Sequence, residues 1–187
     1  MPISGGKYAA EVLKGRVQIL STAAAGVTLP ISTGTGITFG VWNTSPNMYA
    51  IPLWARGGYT SGTIALGTFG WANQAAGYAT AAGGPITAWT DAVVGTTLKN
   101  ALIGGGNQPT MKYTPSAGTL TAGGTAALWT GPSIESATAG TGLFPLSVDF
   151  DGEVIIAPGQ VFFACCSVAQ TASFSLSLAV AEVPMAS

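Results

Sequence analysis

The chain reads as an all-β antiparallel sandwich, and three observations predict it. Turn residues recur along the whole length, the segments between them are short and apolar or alternating, and no amphipathic helical stripe of useful length competes. With 187 residues the chain fits one domain. Hydrophobic residues make up 48% and aromatics 9%, ample for a core.

The N-terminal stretch comes first. Tyr8, Val12, Leu13 and Ile19 share a face if 8–20 is helical, but Gly15 and the alternation Val17-Gln18-Ile19 argue instead for an arm followed by a strand. Residues 1–20 are therefore assigned to an extended arm and first strand, and 21–187 to a single sandwich domain. Strands are expected over 17–20, 37–42, 48–54, 63–71, 86–93, 99–103 and 126–130. Between them lie turn signals such as Gly57-Gly58, Gly83-Gly84-Pro85, Gly104-Gly105-Gly106-Asn107 and Gly123-Gly124.

The C-terminal third is the most legible. Leu146, Val148 and Phe150 alternate with Ser147 and Asp149, and Asp151-Gly152 supplies the positive φ that a tight hairpin needs. Val154-Ile155-Ile156 is expected as the next strand. It leads into Ala157-Pro158-Gly159-Gln160, with Pro and Gly in the central positions of a type II turn. The segment 161–168 is apolar on both faces and predicts a central strand covered on both sides. In the last strand Phe174, Leu176, Leu178 and Val180 form one face, and Ser175, Ser177, Ala179 and Ala181 the other. A face of small residues rather than charged ones predicts close approach of another surface, such as a neighbouring subunit.

Charged residues make up only 7%, against roughly 25% in ordinary soluble domains. A membrane helix does not account for this, because no run approaches the roughly 20 apolar residues of a span. The start Met1-Pro2-Ile3-Ser4-Gly5-Gly6-Lys7 has no secretory pattern, so an outer-membrane barrel is not expected either. Disorder is excluded by the apolar content. The remaining reading is a surface covered by copies of itself or by partners. The basic residues Lys7, Lys14, Arg16, Arg56, Lys99 and Lys112 are scattered, so no nucleic acid partner is expected. The adjacent Cys165 and Cys166 point to opposite faces of a strand and read as reduced core thiols.

Chemistry is marked by what is missing. The chain has no histidine, which removes Ser-His-Asp and Cys-His arrangements and histidine-based zinc sites. No glycine run completes a phosphate or dinucleotide fingerprint. Neither an enzyme nor a cofactor is expected. Asp149, Asp151 and Glu153 are the one candidate metal cluster: on a straight strand they would share a face at roughly 7 Å spacing, suited to calcium. A turn at Asp151-Gly152 would disperse them into solvent instead. The candidate interaction residues are Lys7, Tyr8, Lys14 and Arg16 of the arm, with Trp54, Arg56 and Tyr59 of a glycine-containing segment expected to end a strand. The tryptophans Trp42, Trp71, Trp89 and Trp129 lie in or beside strand candidates and are expected in packing.

The segment 146–184, with its Asp-Gly-Glu turn, its Ile156-Ala157-Pro158-Gly159-Gln160 turn, its buried strand and its closing strand, resembles the C-terminal part of jelly-roll decoration (cement) proteins of tailed-phage and virus particles. The rest of the chain is similar in its Gly/Thr/Ala-rich, charge-poor texture. The resemblance implies a jelly-roll sandwich that forms a homotrimer, binds a major capsid protein or other virion proteins, and stabilises the shell from the capsid surface. Its place of synthesis would be the host cytoplasm. Two other roles compete. A receptor- or glycan-binding head would use the loops 54–59 and 104–107 as tips. A shell-forming capsid protein would need a basic arm that this chain lacks.

Overall fold

In the computed structural model, residues 7–77, 86–120, 126–134 and 146–185 are described. They form two packed antiparallel sheets, a small third sheet and one short helix. Sheet A has the order β12 (Leu146–Asp149), β5 (Met48–Ser61), β14 (Ser173–Pro184), β1 (Val17–Ser21), β8 (Leu98–Asn100), with β2 (Val27–Thr28) also paired to β14. Sheet B has the order β11 (Ala126–Ile134), β6 (Gly67–Ala75), β13 (Gln160–Cys166), β4 (Gly40–Trp42), β9 (Lys112–Thr114). The third sheet joins β3 (Gly36–Ile37), β10 (Gly118–Leu120) and β7 (Ile86–Trp89). The all-β sandwich expected from the sequence is what the chain forms.

The main core lies between sheets A and B. Phe174, Leu176, Leu178 and Val180 of β14 face Phe162, Ala164 and Cys166 of β13 and Phe69 and Trp71 of β6. Trp71 stacks on Phe162 with ring centres 5.0 Å apart and meets Phe150 edge-on at 5.7 Å. On its other face β13 presents Val161, Phe163 and Cys165, which with Trp42, Ile37, Ile86 and Leu120 make a second core under the third sheet. This is the two-sided burial expected of 161–168, except that the strand ends at Cys166 and Val168 is exposed. Burial pushes both adjacent thiols up to about 12, so neither Cys165 nor Cys166 is a nucleophile at neutral pH.

Both C-terminal turns form as expected. Asp151 and Gly152 have φ of 54° and 84°, and Glu153 N donates to Phe150 O at 2.8 Å. At Ala157-Pro158-Gly159-Gln160, Gly159 has φ 76° and Gln160 N donates to Ala157 O at 3.2 Å.

Four expectations are corrected. The arm contains a helix, α1 (Ala9–Leu13), ended by Gly15 at φ 69°. Residues 154–156 are not a strand: only Ile156 bridges to Ala50, and the chain then crosses to sheet B instead of closing a hairpin. The stretch 37–42 is divided, because Ile37 belongs to the third sheet and Gly40–Trp42 to sheet B. Finally, 54–59 does not end a strand. It lies inside β5, which continues to Ser61 because Gly57 lets β14 approach closely; a Cβ there would lie 2.5 Å from Leu176 Cδ2 and 2.8 Å from Ser175 O.

Sequence reading also missed a buried acid. Glu182, on the inner side of β14, is only 3% exposed. Its carboxylate accepts from Thr110 N at 2.8 Å, Thr110 Oγ1 at 2.7 Å and Tyr113 OH at 2.8 Å. Burial first, and the facing carboxylate second, hold the Tyr113 phenol well above its usual range, so Tyr113 stays a donor. This network ties the segment before β9 to the last strand. Glu182→Ala leaves the buried Tyr113 hydroxyl without its acceptor and should lower unfolding stability by about 2 kcal/mol, read from chemical denaturation, whereas Glu182→Gln should lose less than half of that. Equal losses for the two variants would contradict the hydrogen-bond assignment.

Candidate interaction surface

The outer face of sheet A gathers most of the residues singled out above. A bulge makes this possible. The register of β5 against β14 shifts between Ala179 and Val180, so Leu53 and Trp54 both face outward. Leu53 O is thereby free to accept Phe150 N at 3.0 Å. Around them Val17, Ala179 and Ala181 form an apolar floor, onto which Tyr8 and Val12 of the arm pack. The small residues of β14 thus accept a close neighbour, as their size predicts; over Ala179 and Ala181 that neighbour is the chain's own N-terminal helix.

Around the arm and β12 the charged groups of this face are paired. Arg56 donates from Nη2 to Asp149 Oδ1 at 2.8 Å and from Nη1 to the carbonyls of Val148 and Ala55, both at 2.9 Å. Its guanidinium lies 5.5 Å from the Trp54 ring centre. Arg56 therefore clamps the edge strand β12 to β5, and its donors are largely spent on the fold. Asp151 pairs with Lys7 and accepts from Tyr8 OH at 2.8 Å, fastening the arm to the turn. The Lys7 ammonium, followed by the Tyr8 hydroxyl, holds the Asp151 carboxyl below its usual range, and the same hydrogen bond raises Lys7. Burial, then Asp151, raises the Tyr8 phenol.

The structure brings Lys7, Tyr8, Trp54, Arg56, Asp149 and Asp151 onto one face and leaves the others elsewhere. Lys14 pairs with Glu11 at 2.6 Å within the arm, and Arg16 lies 3.7 Å from the same carboxylate. Tyr59 points inward, edge-on to Phe174 at 6.4 Å, with its hydroxyl on Gly62 O. It is half-buried against the core, not part of a contact loop, because it sits two places beyond the inward-facing Gly57 on β5. The type I′ turn separates the candidate metal ligands: Asp149 turns to Arg56, Asp151 to the arm, and Glu153 to solvent. Among the described residues no three of His, Cys, Asp and Glu gather to hold a metal ion. The loop 104–107 is clamped to the arm, with Asn107 N donating to Gly15 O at 2.9 Å and Asn100 Nδ2 to the same oxygen at 2.7 Å.

This surface offers pairing and packing rather than chemistry. Around the arm and β12 its acids and cations pair with each other, and the two unreactive thiols lie on the other sheet, inside the cores. A comparison with family models, with curated proteins and with solved structures found no match.

The arm's tether titrates in a defined direction. Because Asp151 is held below its ordinary 3.8, its contribution is complete above that value and is lost as pH falls through the lowered folded value. Because Lys7 is raised above 10.5, its contribution is complete below that value and is lost as pH rises through the raised one. Acidification through that lowered value should therefore free the arm, shifting the Val12 methyl resonances towards unpacked positions, and Asp151→Asn should produce the same shift at neutral pH. Val12 resonances unmoved by either change would show that the tether does not hold the arm.

Proposed function

We propose that the chain is a structural virion protein: a decoration (cement) protein that binds and stabilises a phage or virus shell as an oligomer. The observation that carries this reading is the strand order. Eight of the strands run β1-β14-β5-β12 in one sheet and β4-β13-β6-β11 in the other, so first pairs with last and each sheet draws alternately from both ends of the chain. Two interlocked Greek keys of eight strands have this order, and it supports the jelly-roll reading. Fold alone does not give function. The scarcity of charge adds the second support: a domain with 7% charged residues gains solubility when partners cover its faces.

The mechanism would be mechanical. Copies bridge neighbouring subunits of a major capsid protein and add buried area against internal pressure, with no nucleic acid contact and no chemical step. A homotrimer is the assembly that the resemblance implies. The receptor-head alternative loses one of its two tips, because 54–59 lies within β5. The shell-forming alternative still lacks a basic arm, since Lys14 and Arg16 are engaged with Glu11.

Quantitative mass spectrometry of gradient-purified particles from the producing culture tests the reading. The chain should appear in the shell fraction at a fixed, stoichiometric copy number, and particles lacking it should release their contents at lower temperature. Its absence from particles, or its confinement to a tail fraction, would overturn the reading.

A further inference from the structure

The two lateral edges of the sandwich carry complementary features. Strand β8 is one edge of sheet A; β12 is the other, and it contacts β11, the matching edge of sheet B. Just beyond β8 the loop 101–107 projects Ile103, which is 96% exposed, and the exposed Val94 lies across the same shallow depression. An isoleucine held out on a loop that is itself clamped to Gly15 is a pre-ordered apolar knob. At the opposite edge, Leu128 of β11 and Val154, Ile155 and Ala157 beyond β12 line a groove of about 420 Å³. The groove runs down to Trp71 and Phe162, and Leu128 and Ile155 are exposed at its rim.

Charge separates the two edges in the same way. Among the described residues every Lys and Arg except Lys99 has an acidic partner. Among the described residues every Asp and Glu except Glu153 has an ion-pair or hydrogen-bond partner, Glu182 through Thr110 and Tyr113. Lys99 stands on β8 beside the knob, and Glu153 stands one residue from Val154 of the groove. Both are exposed. Among the described residues the unpaired cation and the unpaired acid each mark one of the two apolar edges, and they have opposite sign.

From this we infer a head-to-tail contact between copies of this chain: Ile103 of one copy seats in the Leu128/Ile155 groove of the next, and Lys99 pairs with Glu153 across the junction. The occupant is a second copy because both halves of the complementarity are present on every copy, on opposite sides. Such a contact is heterologous, so it leaves each copy with one used and one free edge until a ring closes. The inference deepens the oligomer reading above by naming the surfaces through which copies meet.

Native mass by light scattering coupled to size exclusion tests it, on the full chain. Wild-type protein should be oligomeric. Lys99→Glu or Glu153→Lys alone sets like charges across the junction and should weaken association about tenfold or more, while the double exchange should restore it. Ile103→Asp should dissociate the assembly. A wild-type monomer, single variants of unchanged mass, or a double exchange that fails to restore association would each overturn the contact. A second measurement guards against misfolded variants. Under oxidation Lys99→Cys protein should cross-link to Glu153→Cys protein when the two are mixed, and neither should cross-link alone; the native thiols are buried and give no background. Absence of the mixed product would also overturn it. Particle occupancy by a chain whose mass these variants leave unchanged would discard this contact and keep the virion reading; rescue by charge exchange in a chain absent from particles would do the reverse.

Discussion

The structure depends on one strand pairing. Strand β14 lies against β5 from Ser173 opposite Ser61 to Pro184 opposite Met48, and on its other side it receives β1 and β2. The last strand of the chain is therefore the middle of sheet A, and no sheet A spans the core until the chain's two ends meet there. Phe174, Leu176, Leu178 and Val180 each stabilise the folded state by about 1.5–3 kcal/mol through burial against sheet B. The opposite face of the same strand is built from Ser and Ala, which lets the N-terminal helix lie close to it. One alternating sequence thus sets the core, the sheet order and the seat of the arm.

Sheet B answers a different constraint. Its central strand β13 is covered on one side by sheet A and on the other by the small third sheet, so Gln160–Cys166 has no wet face to spend on polar residues. That accounts for adjacent cysteines in a place where neither can react. Two polar side chains that enter the interior are held by several partners: Asn43 Nδ2 donates to the carbonyls of Met48 at 2.8 Å and Ile156 at 3.0 Å, and Glu182 accepts three bonds. With charge so scarce, those that remain at the surface mostly fasten one segment to another, as Arg56 does for β12 and Asp151 for the arm.

The parts of the fold that sequence reading recovers are those governed by local periodicity and turn chemistry. The alternation of 174–181, the doubly apolar 161–168, whose first six residues form the buried strand, and both C-terminal turns need only neighbours in sequence to be recognised. The parts it misplaces are decided by distant contacts. Gly57-Gly58 looks like the end of a strand until Leu176 is seen to occupy the space a side chain would fill. The five-residue helix has too little periodic signal to compete with Gly15, and it is held by Tyr8 reaching Asp151, 143 positions away. Of the interaction residues, Lys7, Tyr8, Trp54 and Arg56 do converge, but what they bind is this chain's own β12 and turn. Tyr59 turns inward by plain alternation, three places from the outward Arg56, once 54–59 is one unbroken strand rather than a strand end. The complementary edges were not legible at all, since they are made of isolated residues brought to opposite sides by sheet order.

The central claim is that β14 is the interior strand on which both sheets close. Native-state hydrogen exchange tests it most directly. The amides of 176–181 should be among the slowest to exchange, opening only with global unfolding, while those of the edge strands β8 and β12 should exchange through smaller openings. Amides of β14 exchanging as fast as those edge strands would contradict the strand order and, with it, the sandwich described here.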